Sequence, residues 1–468
     1  MSRWKTTLLL LVACAGCALA SNPTERVDLL VTGGTVVTMD AERRVLEDGA
    51  VAIRGDRIVA VGSAAELERQ YRPRRRLRAR GSLILPGFIN THTHAAMNLY
   101  RGVADDRVLE VWLRDYIFPL EGKLSTAEMV YWGTKLAALE MIRGGTTTFV
   151  DMYYHENEAA RAAEEAGMRA VLGETILGFP SPDSPTTADA LRYAEQFITR
   201  WRNHPLVVPA VAPHSAYTCS AECLKASAEL ARRIGAPLLI HLAESPGEKK
   251  TINERTGQST AQYLAGLGVF DGVRVLGAHC VHVDEADRRL LAERGVGCAH
   301  NPSSNMKLAS GIAPVVALRK AGVAVGLGTD GVAGSNNDLD MMEEMDLAAK
   351  LQKASLGDPR VLPAAEALAM ATIEGARALG LEKEIGSLEP GKRADLILLR
   401  RDPVHAIPSY DVYSSIVYSL KASDVETSII NGRVVMEGRR VLTLDEQAIR
   451  RYTEAFAARV REVIGGKR

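Results

Sequence analysis

Pro86-Gly87-Phe88-Ile89-Asn90-Thr91-His92-Thr93-His94 is an apolar run that follows a Pro-Gly break and ends in two histidines, two positions apart. In a β-strand, residues two apart face the same side, so both imidazoles can reach one metal ion. The pair alone does not separate ligating histidines from structural ones. The wider pattern does more. Working outward, the middle of the chain repeats short apolar runs between longer helical patterns, the mark of βα units around a parallel sheet. Strand candidates are Leu83-Ile84-Leu85 with Phe88-Ile89, then 146–150, 169–172, 207–211, 237–240, 273–276, 296–299 and 323–327. They run into His92 and His94, Asp151, Glu174, His214, His241 with Glu244, His279, His300-Asn301, and Thr329-Asp330. Eight strands predict a (β/α)8 barrel of the TIM type, in which functional groups collect at the C-terminal strand ends.

The flanks have another texture. Short β segments with glycine turns fill 27–85, and a second set fills 382–443, including 394–399 after Pro390-Gly391 and Ser428-Ile429-Ile430 before Asn431-Gly432. Both ends together predict one composite β-sandwich beside a barrel spanning 86–381, followed by a C-terminal helix over 444–468. With 57 Lys+Arg against 57 Asp+Glu, no global field steers the chain towards nucleic acid or an anionic membrane. The run Arg72, Arg74, Arg75, Arg76, Arg78 and Arg80 reads as a solvated loop face.

At the start, Arg3 and Lys5 precede the apolar run 8–13 and then small residues, the pattern of a bacterial export signal over residues 1–20. Leu11-Val12-Ala13-Cys14 is similar to a lipobox, which implies a lipid anchor on Cys14, while Ala18-Leu19-Ala20 offers an ordinary cleavage site. The expectation is an exported, periplasmic or membrane-anchored lipoprotein. Cys219, Cys223, Cys280 and Cys298 are too few and too irregular for a disulfide framework and read as core thiols.

His241 and Asp330 complete a three-histidine, one-aspartate set with His92 and His94. Such a set suits one divalent ion, Zn²⁺ first and Fe²⁺ as the alternative, and leaves a position for water. Glu244 is not needed as a ligand, so it reads either as a proton carrier or as a carboxylate at a helix start. His279 reads either as a group that polarises the reacting atoms or as a core histidine. Glu121 and His214 are candidates for holding substrate, while His300, Asn301 and Asp151 orient their neighbours.

Taken with Arg101-Gly102-Val103-Ala104, Pro213-His214-Ser215, Ala278-His279-Cys280, His300-Asn301-Pro302, Ser304-Asn305-Met306-Lys307 and Ser335-Asn336-Asn337, these residues resemble the amidohydrolase superfamily. The resemblance is to its zinc deaminase branch, which includes 5-methylthioadenosine/S-adenosylhomocysteine deaminases, and it spans nearly the whole mature chain. It implies metal ligation by His92, His94, His241 and Asp330, a proton-shuttling Glu244, an activating His279, and Asp330 helping to deprotonate water. It also implies substrate contacts at Glu121 and His214, with Trp112 packed near a purine. Dinuclear relatives carry a carboxylated lysine at the end of strand four. Ala212-Pro213-His214-Ser215 stands there, which favours one metal.

The implied activity is release of ammonia from an adenosine-like or other aminated heterocycle. Loss of chloride or an alkylthio group from a triazine is the alternative on the same metal. A non-catalytic, surface-anchored binding protein is the alternative from another class. The branch places an arginine near the end of strand three to hold the substrate's tail, where this chain has Gly173-Glu174. Glu174 is therefore expected at the substrate, disfavouring a carboxylate-bearing tail. Homo-oligomerisation is left open.

Overall fold

The computed structural model describes residues 25–465. Residues 1–20, expected to be an export signal, and Cys14 lie outside the described residues. Eight parallel strands close into a barrel: Phe88–Thr93, Thr146–Tyr153, Arg169–Ile176, Val207–Pro213, Leu238–Leu242, Val275–His279, Gly297–His300 and Val325–Leu327. Alternation along these strands turns Ile89, Val150, Val171, Ala210, Leu239 and Leu276 into one apolar filling of the barrel. The intervening helices follow from sequence in the same way. Ala221–Ile234, for example, begins where the Ser220 hydroxyl accepts from Cys223 N and ends at Gly235 with φ +68, a conformation glycine adopts without strain. Its buried Leu224, Ala228 and Ala231 recur at helical spacing and form the stripe that packs on the barrel.

Both chain ends contribute to one nine-stranded sheet. Glu25–Val37 pairs antiparallel with Val45–Arg54 and parallel with Ser82–Pro86, and Ser82–Pro86 pairs antiparallel with Leu396–Arg400. Bulges at Thr32, Gly34 and Val36 bend the first strand. One face of this open sheet buries Leu29, Val31, Ile53, Ile84, Leu396 and Ile429 in an apolar cluster of its own, so both chain ends build one separate sheet beside the barrel. Leu83-Ile84-Leu85 therefore belongs to this sheet rather than to the barrel. The break falls at Gly87, where a Cβ would lie 2.1 Å from Thr147 Cγ2, so the chain can pass from sheet to barrel only without a side chain.

The arginine run corrects another expectation. It is not a loop face, because Tyr71–Arg78 is a strand paired parallel to the first one. Its exposed guanidiniums pair with acids, Arg75 with Glu437 at 2.6 Å and Arg74 with Asp28 at 3.4 Å. Charges of this kind protect a sheet edge from pairing with other chains. The four cysteines among the described residues, Cys219, Cys223, Cys280 and Cys298, are buried and free, with the Sγ atoms of Cys280 and Cys298 2.7 Å apart. Helix Glu446–Gly465 lies on Ala127–Gly144, stacking Tyr452 on Trp132 at 5.2 Å.

Arg169, at the start of the third barrel strand, joins the two parts. Its Nε and Nη2 donate to the Asp395 carboxylate at 2.7 and 3.2 Å, and both side chains are buried.

Candidate active site

His92, in the first barrel strand, and His94, just after it, are fixed by what surrounds them. Asp151, at the end of the second strand region, accepts from Thr93 Oγ1 at 2.9 Å and from Ala95 N at 2.7 Å, clamping the residues on either side of His94. Asn90 and Thr329 exchange hydrogen bonds, and Asp330 N donates to His92 O at 2.9 Å, which knits the first strand to the end of the eighth. His279 and Asp330 adopt φ of 76° and 63°. Left-handed backbone at non-glycine residues costs about 1–3 kcal/mol each and persists where the surroundings enforce it, often at functional sites.

His94 Nδ1 lies 2.8 Å from Met152 O, and His241 Nδ1 lies 2.9 Å from His214 O. A carbonyl can only accept, so each Nδ1 donates, and in the neutral form of each ring the lone pair points outwards at Nε2. Those two Nε2 atoms face each other at 3.3 Å. Asp330 Oδ1 stands 3.2 Å from His92 Nε2 and 3.3 Å from His94 Nε2. His92, His94, His241 and Asp330 thus offer four ligand atoms within 4.8 Å of one another. Lone pairs converging this closely in a buried space repel unless a cation lies between them, so the donor set fits a divalent metal. Asp330 Oδ2 accepts from Ser304 Oγ at 2.7 Å, orienting the carboxylate from behind. This is the only such metal-ligating group among the described residues.

The same cavity receives Glu244, His279, His214, Trp112 and Glu121. It encloses about 520 Å³ of empty space with its mouth included. Glu244 follows the fifth strand and precedes the helix Pro246–Thr256. Burial, and then the charges of Asp330, Glu248 and Glu110, push its carboxyl well above the usual range. Its Oε2 is 3.9 Å from His279 Nε2, while Asn305 Oδ1 holds His279 Nδ1 at 2.9 Å. Glu121, on the helix Phe118–Leu124, accepts from Tyr153 OH at 2.7 Å and from Tyr154 OH at 3.4 Å. Its carboxyl is pushed up to about 7 by burial. Trp112 covers the cavity, anchored through Nε1 to Ala333 O at 2.8 Å.

The sequence pattern of the amidohydrolase family matches residues 83–435. The chain belongs to the amidohydrolase family. This amidohydrolase is 47% identical over 438 residues to 5-methylthioadenosine/S-adenosylhomocysteine deaminase 1 of Syntrophus aciditrophicus, covering 94% of this chain and 98% of that one. It is 50% identical over 420 residues to the 5-methylthioadenosine/S-adenosylhomocysteine deaminase of Syntrophobacter fumaroxidans, covering 90% and 95%. Among solved structures, an adenosine deaminase from Xanthomonas campestris with bound zinc superposes with a TM-score of 0.92 at 37% identity, covering 94% of this chain and 100% of that one.

One expected site residue of this amidohydrolase falls elsewhere. Glu174 does not line the cavity, where its neighbour Thr175 does. Glu174 is fully buried, accepts from Glu156 N at 3.1 Å and shares an acidic environment with Asp183. Alternation along the third strand puts the two neighbours on opposite sides, so the strand end presents a hydroxyl rather than a charge. His300 and Asn301 lie behind His279, with Asn301 Nδ2 3.2 Å from its Nδ1. Sequence reasoning passed over Ser304, Asn305, Tyr153, Tyr154, Phe118 and Tyr217. Ser304 and Asn305 sit in a motif already singled out, and hydroxyl and amide groups one helix turn past the end of the barrel strand Gly297–His300 are the available signal. The aromatic residues carry no signal of their own until the cavity is seen.

Proposed function

We propose that this amidohydrolase is a zinc-dependent hydrolytic deaminase that releases ammonia from an adenosine-like or other aminated heterocycle. The observation that carries the reading is Glu244, a buried carboxyl held above its usual range and spared from ligation, in one cavity with His279 and with His94, His241 and Asp330 of the metal-ligating set. The bound ion supplies Lewis acidity that makes water a nucleophile at neutral pH. Asp330 accepts a proton from the attacking water as its oxygen adds to the ring carbon bearing the amine. Glu244, protonated beforehand, donates to the adjacent ring nitrogen, so no full negative charge builds on the ring. His279 steadies the incoming oxygen. Asp330 then passes its proton to the amine while Glu244 takes the remaining proton of the added hydroxyl, so ammonia departs, a ring carbonyl is left and both carboxyl groups return to their starting states. Chloride leaves without a proton, so two carboxyl groups poised on either side of the reacting carbon favour amine loss over triazine dechlorination.

His214 and Glu121 hold the substrate, and Trp112 closes over it. Purified protein assayed with aminopurines, pterins and triazines should release ammonia from an aminopurine. Chloride release from a chlorotriazine without any ammonia release would replace this reading. The leader pattern supports export with a lipid on Cys14. Mass spectrometry of the mature N-terminus should find a diacylglyceryl-modified Cys14, and an unmodified N-terminus at Ser21 would refute the anchor.

A further inference from the structure

The proton carrier Glu244 stands on a strained turn. Its predecessor Ala243 has φ 51°, in the left-handed region that a non-glycine residue enters at a cost of about 1–3 kcal/mol and keeps only where its surroundings enforce it. Two sets of partners enforce it here. Ala243 O accepts from Val281 N at 3.0 Å and from His282 N at 2.9 Å, both just past the sixth barrel strand. On the amide side, Glu248 Oε1 accepts from Ala243 N at 3.0 Å and Glu248 Oε2 from Glu244 N at 2.8 Å.

Glu248 is buried and does not line the cavity that holds the metal ligands. It lies in the first turn of the helix Pro246–Thr256, whose cap is Ser245, and Ser245 Oγ accepts from Glu248 N at 3.0 Å. A glutamate at this position ordinarily reaches back to the amide of the cap residue, which ties off the helix and nothing more. Glu248 reaches one and two residues further back, to the amides that set the direction in which the Glu244 side chain leaves the backbone. Each carboxylate oxygen serves one amide, so the group cannot turn without losing one of the two bonds.

The same turn receives the covering segment, which carries Leu109, Trp112, Leu113, Ile117 and Phe118 over the cavity. Ser245 Oγ donates to Glu110 Oε1 of that segment at 3.1 Å. A Cβ at position 247 would collide with the Glu110 carboxylate, so the segment seats there only against Gly247.

A proton carrier works only within hydrogen-bond reach of the atom it serves, and a misplacement of about 1 Å can cost on the order of 10²-fold in rate. We propose that Glu248 is a positioning residue for the deamination: its carboxylate grips the amides of Ala243 and Glu244 and thereby aims the Glu244 carboxyl at the substrate. This rests on the reading of Glu244 as the proton carrier.

A double-mutant cycle on the full zinc-loaded chain tests it, with kcat and KM read from ammonia release from adenosine and methylthioadenosine and zinc content measured alongside. Glu248→Gln keeps the size of the side chain but replaces one acceptor with an amide donor that faces an N–H. It should lower kcat by about 10–100-fold and leave KM and zinc content within about twofold. In the Glu244→Gln background, where no proton is left to aim, adding Glu248→Gln should lower kcat by less than about twofold more. A merely structural Glu248 would disturb the metal and substrate sites in either background, so its effect would multiply in the double variant. Should Glu248→Gln fail to fold, Ser245→Ala, which loosens Glu248 and keeps every carboxyl group, should give a smaller loss in kcat that likewise vanishes in the Glu244→Gln background. Losses that multiply would overturn the proposal, and so would full activity in Glu248→Gln beside a normal loss in Glu244→Gln. Full activity in Glu244→Gln, or no ammonia from either nucleoside with the unaltered chain, would overturn the underlying reading and the proposal together.

Discussion

Asp395→Ala should destabilise the protein by about 3–5 kcal/mol without touching catalysis, because it breaks a buried ion pair by removing one partner. The carboxylate accepts from Arg169 Nε at 2.7 Å, from Arg169 Nη2 at 3.2 Å and from Asn431 N at 2.6 Å. Two of the three bonds join opposite charges, and bonds to charged groups contribute about 1.5–3 kcal/mol each. Deletion also leaves the guanidinium, with 7% of its side chain exposed, only Pro205 O at 2.9 Å and Asn431 Oδ1 at 3.1 Å. The two routes to the magnitude agree. Urea denaturation followed by tryptophan fluorescence measures the loss, and kcat/KM measured alongside should be unchanged, because Arg169 opens its strand at the end away from the metal ligands. The double variant Arg169→Met/Asp395→Leu should recover much of the loss, since no uncompensated charge stays buried. A loss below about 1 kcal/mol, or a double variant no better than the single one, would refute the idea that this pair welds barrel to sheet.

The remaining predictions concern the site. Elemental analysis should find close to one zinc per chain, and chelation should abolish ammonia release and lower Tm; about two metals per active chain would contradict the four-ligand site. Glu244→Gln should retain its metal but lose about 10²-fold or more in kcat, as removal of a proton carrier does. Full activity in that variant would take Glu244 out of the reaction. Ser304→Ala removes the hydroxyl that holds Asp330 Oδ2 at 2.7 Å and should weaken zinc binding by about 10–100-fold, read by competition with a chromogenic chelator.

The metal-binding group was legible because its signal is local: apolar strands that end in His92, His94, His241 and Asp330 carry both the fold and the ligands in the same few residues. The same logic failed at Glu174 for a physical reason. Being at a strand end fixes the height of a residue in the barrel but not its side, and one step of alternation separates Thr175 in the cavity from Glu174 behind it. The arginine strand was missed because charges at most of its positions hide the period of two, leaving only buried Tyr71 and half-buried Pro73 and Leu77 to mark the inner face. The aromatic and apolar wall of the cavity lies on the covering segment, whose residues are brought over the site by tertiary packing alone.

The place of Ser82–Pro86 in the sheet bears on how the chain reaches its folded state. This strand is fully buried and lies between Glu25–Val37 and Leu396–Arg400, so Pro86 must wait for Leu396 before its free edge is covered. During synthesis the whole barrel emerges first, leaving Leu83, Ile84 and Leu85 as an unpaired apolar edge, the kind of surface that templates aggregation. Contacts across so long a stretch of chain also form slowly, since the intervening loop must be closed before they stabilise anything. A chain cut after the barrel would hold every metal ligand and still be expected to aggregate, which makes the last strands a checkpoint on completion rather than an accessory to the catalytic part.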